Sequence, residues 1–238
     1  MAIQDLRAGR TLLMSHHFER EINHLKRDIL ALATLVEESL QNTLKALRTR
    51  DNLLAARVIK GDIEIDEKEV KIEEDCLKIL ALHQPVAADL RFIIAVLKVN
   101  NELERIGDTT VNIAERVMFL SSQPRLDARF DFQSMADKAQ AMLRGALDAL
   151  VNGDAKLAYE VIASDDEVDA LNREMYQQVQ DGIRENIDDM ECLIHLLGVS
   201  RHFERIGDHA CNIAEDAIYM ARGDIVRHRH EEYGSSVE

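Results

Sequence analysis

Residues 102–115 read ELERIGDTTVNIAE and residues 202–215 read HFERIGDHACNIAE, so E-R-I-G-D-x-x-x-N-I-A-E is written twice, one hundred residues apart. Around each copy apolar residues recur at alternating spacings of four and three. The first stripe is Val99, Leu103, Ile106, Thr110, Ile113, Val117 and Leu120; the second is Val199, Phe203, Ile206, Ala210, Ile213, Ala217 and Met220. That rhythm is a helix face turned into a bundle core. One step around the same helix stand Glu104, Asp108, Asn112 and Glu115, matched by Glu204, Asp208, Asn212 and Glu215. Residues four apart lie about 6 Å along the axis and roughly 40° around it, so each acid pair reaches towards one point. Two anions there repel. Gly107 and Gly207 sit in mid-helix, where glycine costs about 1 kcal/mol against alanine. A helix carries that cost where a neighbouring backbone or a ligand comes close.

Working outward, LKALRTRDNLLAARVI (44–59) aligns with LDALVNGDAKLAYEVI (147–162), the same order of features at an offset of 103 rather than 100. An ordered set with one short deletion, near the region that holds Pro85 in the first copy, indicates a duplicated unit. Helical periodicity runs through nearly the whole chain. A first helix is expected over about 18–48, a second from the Asp51 cap to the break at LHQP, and a third opening on Pro85 and ending near Leu120. Three amphipathic helices joined by short turns fold as an antiparallel bundle. The fold class is therefore all-α, with two tandem, sequence-related antiparallel three-helix bundles. The expected organisation is an N-terminal tail at 1–16, a first bundle at 17–122, a linker at 123–130, a second bundle at 131–224 and a disordered polar tail at 225–238.

Composition agrees and excludes. Hydrophobic residues make up 46% of the 238-residue chain, enough for a core, whereas only 4% are aromatic and two are proline. A net charge of −15 without a basic block disfavours nucleic acid and favours cations or basic protein surfaces. Cys76, Cys192 and Cys211 form no CxxC and read as free thiols of a reducing cytoplasm. The longest apolar run, FIIAVL, is far too short to span a bilayer, and the N-terminus lacks the apolar core of a signal peptide.

The second helix of each unit supplies the partners of the repeated acids. Asp62-IEI-Asp66 and Asp165-DEV-Asp169 are spaced alike at equivalent points, and Asp62 and Asp165 each interrupt an apolar stripe. An ionised acid in that position needs a partner or the edge of the core. In an antiparallel hairpin the two pairs of a unit reach similar height. Each bundle then offers four carboxylates: Asp62, Asp66, Glu104 and Asp108 in one, Asp165, Asp169, Glu204 and Asp208 in the other. At an effective dielectric of about 20, two charges 4 Å apart interact by about 4 kcal/mol, and a cation reverses the sign. All-oxygen ligation suits Fe, Mn, Mg or Ca, and zinc also accepts carboxylate. Asn112, Glu115, Asn212 and Glu215 are further candidate donors. His209 follows Asp208 and could join the second site, although a surface histidine is the favoured reading. Only Glu21-Ile-Asn-His24 has Glu-x-x-His spacing, which disfavours a ferritin-like redox centre. No nucleophile–base pairing is found, so no catalytic residue is assigned. The same acids would alternatively suit a metal-dependent phosphate-ester enzyme, or an exposed face of a metal-independent helical scaffold.

With both E-R-I-G-D-x-x-x-N-I-A-E blocks and the stretch QPVAADLR (84–91), the chain resembles the PhoU family over nearly its whole length. The resemblance implies a cytoplasmic, often homodimeric pair of three-helix bundles with E(D)xxxD metal motifs in some members. Those motifs fall here on Asp62/Asp66, Glu104/Asp108, Asp165/Asp169 and Glu204/Asp208. It also implies a non-catalytic negative regulator of the phosphate-starvation response (the Pho regulon) and of phosphate uptake. Such a protein bridges a phosphate ABC transporter ATPase and a sensor histidine kinase. In the second unit IDDMECLI stands where the first has QPVAADLR, so the two halves are not equivalent there.

Overall fold

The structure, a computed structural model, describes residues 2–126 and 131–226, with side chains from His17 onward. Six long helices account for the described chain: α1 (Ala2–Thr49), α2 (Asn52–His83), α3 (Ala87–Ser121), α4 (Phe132–Asn152), α5 (Ala155–Glu185) and α6 (Met190–Arg222). A single 3₁₀ turn, Ile187–Asp189, precedes α6. No strand occurs among the described residues.

Local chemistry sets the ends. Asp51 accepts from the Leu53 and Leu54 amides at 2.9 Å and caps α2; Asp154, its repeat equivalent, caps α5 through Lys156 and Leu157. The residue before each cap is left-handed, Arg50 at φ 53° and Gly153 at φ 63°. Glycine adopts this at no steric cost, whereas arginine does so at about 1 kcal/mol. Arg50 returns something for it: its guanidinium donates to the carbonyls of Leu120 and, at 3.0 Å, Gln123, closing the end of α3.

The boundaries differ from expectation in three places. Helix α1 begins at Ala2, so residues 2–16 of the stretch expected as a tail at 1–16 belong to the helix, and residue 1 lies outside the described residues. Pro85 lies outside α3, whose first helical residue is Ala87; Val86 is the extended residue before it and Ala87 itself has φ 49°. Val226 is buried against the core, and the rest of the expected disordered tail, 227–238, lies outside the described residues, as does 127–130 of the linker.

Helices α1, α2 and α3 pack on one another, as do α4, α5 and α6, so each repeat buries its own stripe. All seven residues of the first stripe are buried; of the second only Met220 is partly exposed. The two bundles join chiefly through α3 against α6, with a smaller contact of α1 on α4. The register of that contact is antiparallel: Lys98 meets Asp216 at 2.8 Å, Glu102 meets Asn212 at 3.1 Å, and Phe119 stacks on His195 with centroids 3.8 Å apart. This register sets Gly107 level with Gly207, so the two copies of the block cross at their middles.

Candidate functional site

The mid-helix glycines have a geometric reason. A β-carbon on Gly107 would lie 3.2 Å from Asp62 Oδ1 and 3.2 Å from Ile65 Cγ2; on Gly207 it would lie 3.2 Å from Asp165 Oδ1. In both repeats an aspartate of the second helix thus rests its carboxylate against the glycine of the third. That closeness is what brings Asp62 beside the Glu104/Asp108 pair and Asp165 beside Glu204/Asp208. Both Oδ1 atoms are buried without a hydrogen-bond partner within the chain.

Electrostatics follow the geometry. Burial, then Asp66 and Asp108, raises Asp62 from 3.8 to about 6. Burial, then Asp208, Asp169, Asp166 and Glu204, raises Asp165 likewise to about 6. Glu104 is raised by burial and by Asp108, Glu69 and Asp66. Glu204 is raised by burial, Asp208 and Asp169, and Asp208 by burial and Asp169. Desolvation and like charge act in the same direction at every one of these groups. The acids of α2 and α3, and of α5 and α6, are therefore electrostatic neighbours.

Beyond these eight, the first cluster holds Glu69, raised by burial and by Glu73 and Asp66. Asn100 donates to its carboxylate at 3.1 Å. Glu69 completes an i, i+4, i+7 run with Asp62 and Asp66, a signal present in the sequence. Symmetry conceals it, because the equivalent position in the second unit is Asn172, bonded to Ser200 at 2.6 Å. The second cluster has its own neighbours: Arg173 lies 3.5 Å from Asp169, and the buried Cys211 thiol lies against Asp165. Burial and these acids push the Cys211 thiol far up, so it stays protonated.

The additional candidates divide. Asn112 and Glu115 are exposed on α3, and Asn112 donates to the Asp108 carbonyl at 2.7 Å. Asn212, in the same motif position on α6, turns to the other bundle and donates to Glu102 Oε2. His209 is not a surface histidine: it is buried at 8% exposure, with Nδ1 2.7 Å from Glu102 Oε2. Its placement between two bundles, rather than at a bundle surface, is the reason. Glu215 is buried as well.

The donor set fits a hard cation in kind: oxygens only, repelling one another, with two orphaned buried oxygens. The acids are nevertheless not drawn to a single point. Among the described residues, triads with ligand atoms within 4.8 Å of one another occur on α1 and α2 instead and contain none of the eight. Carboxylate rotation would have to close the clusters around an ion.

The model described as PhoU domain matches residues 29–117 and again 132–217. The chain belongs to the PhoU family. A PhoU homolog of Aquifex aeolicus, described as a phosphate-specific transport system accessory protein, is 38% identical over 89% of this chain and 96% of its own length. A similarly described PhoU homolog of Thermotoga maritima is 37% identical over 87% of this chain. The crystal structure of PhoU from Pseudomonas aeruginosa superposes with a TM-score of 0.84 at 34% identity, covering 87% of this chain and all of that one. That of PhoU from Streptococcus pneumoniae, titled a phosphate transport system regulatory protein, gives 0.80 at 28% identity and covers 88% of this chain. As in the sequence, the PhoU match comes twice, once on each bundle. No helix among the described residues is long and apolar enough to cross a membrane.

Proposed function

We propose that this protein is a non-catalytic accessory regulator of phosphate transport. In this reading it restrains uptake and represses the phosphate-starvation response when phosphate is plentiful. It does so from the cytoplasm by bridging the transporter ATPase and a sensor histidine kinase, as a homodimer. The observation that carries the reading is the double PhoU match together with relatives named as accessory proteins of phosphate-specific transport. Asp62, Asp66, Glu104 and Asp108, with Glu69 beside them, would hold a cation on one bundle; Asp165, Asp169, Glu204 and Asp208 would hold one on the other. A bound ion would supply positive charge that replaces mutual repulsion with attraction. The chain's own part is to clamp α2 to α3 and α5 to α6, stiffening the surface that partners meet.

The experiment is affinity capture from membranes of phosphate-replete and phosphate-starved cells. Recovery of the transporter ATPase and the kinase in a phosphate-dependent ratio supports the bridge; recovery of neither defeats it. Sedimentation at graded concentrations tests the dimer, and elemental analysis of protein purified without a histidine tag tests the ions. Clustered carboxylates also serve phosphate-ester hydrolysis. Turnover of a phosphate ester by metal-loaded protein that disappears in Asp108→Ala would favour that second reading.

A further inference from the structure

We propose that His17, Glu21 and His83 form a binding site for a divalent transition ion of the zinc class. The proposal stands independently of the regulatory reading and of the two acid clusters. Their ligand atoms all lie within 4.8 Å of one another. His83 Nε2 is 2.5 Å from Glu21 Oε2, and His17 Nδ1 is 3.4 Å from Glu21 Oε1. Donors bound at about 2.0–2.1 Å to a tetrahedral ion stand roughly 3.4 Å apart, so small rotations bring these three onto one centre.

The backbone fixes each donor. His17 and Glu21 are one turn apart on α1, and His83 is the last residue of α2, just before the left-handed Gln84. The His83 ring is held by Phe18 at 5.2 Å and faces His17 at 5.9 Å. Side-chain exposure rises from 13% at His83 through 29% at Glu21 to 58% at His17, which leaves one side open for entry and for a fourth ligand. Two imidazoles and one carboxylate select zinc, cobalt or nickel over magnesium and calcium, which prefer oxygen. The acid cluster at Asp62 is roughly 30 Å away along α2, at 1.5 Å per residue.

A second convergent group, His24, Asp28 and Asp75, is weaker for a stated reason. Lys71 Nζ already lies 3.1 Å from Asp28 and Lys78 Nζ 3.2 Å from Asp75, so protein cations neutralise it. No lysine or arginine is paired with Glu21 among the described ion pairs. Occupancy would pin the α1 face at 17–21 to the end of α2.

The test uses the full chain without a histidine tag, stripped with chelator and titrated with Co2+, followed by Zn2+ displacement. The expected result is one Co2+ per chain showing the visible bands of a four-coordinate ion, distinct from any oxygen-ligated ion at the acid clusters, bleached by Zn2+. His17→Ala, Glu21→Ala and His83→Ala should each weaken the binding read from the four-coordinate bands about tenfold or more, while His24→Ala and the pair Asp62→Asn/Asp165→Asn leave those bands and their midpoint unchanged. His17 is exposed, so His17→Ala removes a donor without disturbing packing, and circular dichroism checks each variant. Absent bands in the parent, parental affinity in any of the three variants, or bands lost with Asp62→Asn/Asp165→Asn would overturn the site.

Discussion

Replacing Asp62 and Asp165 together by asparagine in the metal-free protein should stabilise it at neutral pH. Each carboxyl stands at about 6 in the folded chain against an ordinary 3.8, because burial and neighbouring acids disfavour its charge. Between those values the folded chain holds more protons than the unfolded one. Stability therefore falls as pH climbs through the interval; the cost is absent below about 3.8 and complete above about 6. A rise of that size corresponds to about 3 kcal/mol per group at full strength. Solvent reaches part of each carboxyl, and screening reduces this to about 1–1.5 kcal/mol. The two sites are on different bundles and should add, giving about 2–3 kcal/mol for the pair. Urea unfolding of chelator-treated protein at about pH 8 should show the double variant's midpoint higher by about 1 M, with the gap shrinking towards about pH 4. A saturating divalent cation should invert the order, stabilising the parent and not the variant. A double variant less stable than its parent without metal, or a gap indifferent to pH, would refute the electrostatic argument.

Gly107→Ala should gain about 1 kcal/mol of helix propensity and lose more to its contacts with Asp62 and Ile65, for a net loss of about 1 kcal/mol and weaker cation binding. Gly207→Ala should lose less, since its apolar neighbour is the pliant Met142 side chain at 3.5 Å; thermal melts and cation titrations of both variants check this. At the join between bundles, burial pushes Glu102 up, but its bonds to His209 and Asn212 outweigh that and hold it below 4.5. Its contribution is present above about 4.5 and lost as pH falls further, and Glu102→Ala should cost about 2 kcal/mol by leaving the buried His209 and the half-buried Asn212 without their acceptor. Phe203→Ala, at a fully buried stripe position, should cost about 3–5 kcal/mol in urea unfolding.

Much of this architecture is written locally. The four-and-three stripe at Val99–Leu120, the repeated caps Asp51 and Asp154, and the ordered repeat determine helices, count and internal packing. Apolar periodicity and capping are properties of neighbouring residues. The nearness of Asp62 to Asp108 was legible for the same reason: a hairpin of known spacing sets them level, and the adjoining glycine marks a close approach.

What lies between bundles was not. Asn112 and Asn212 occupy the same place in the same motif, yet one bonds its own helix and the other reaches Glu102 across the α3–α6 contact. Nothing in the nine shared letters distinguishes them, because the difference belongs to the surface each helix face meets. His209 and Asp216 are buried by that meeting, and His17 finds His83 only because α1 and α2 lie side by side. The sequence alone determined which residues form helices and which face each helix turns inward, since periodicity acts over a few turns. Tertiary structure alone decided which polar faces were covered, because desolvation depends on what packs against a side chain and not on the residues beside it.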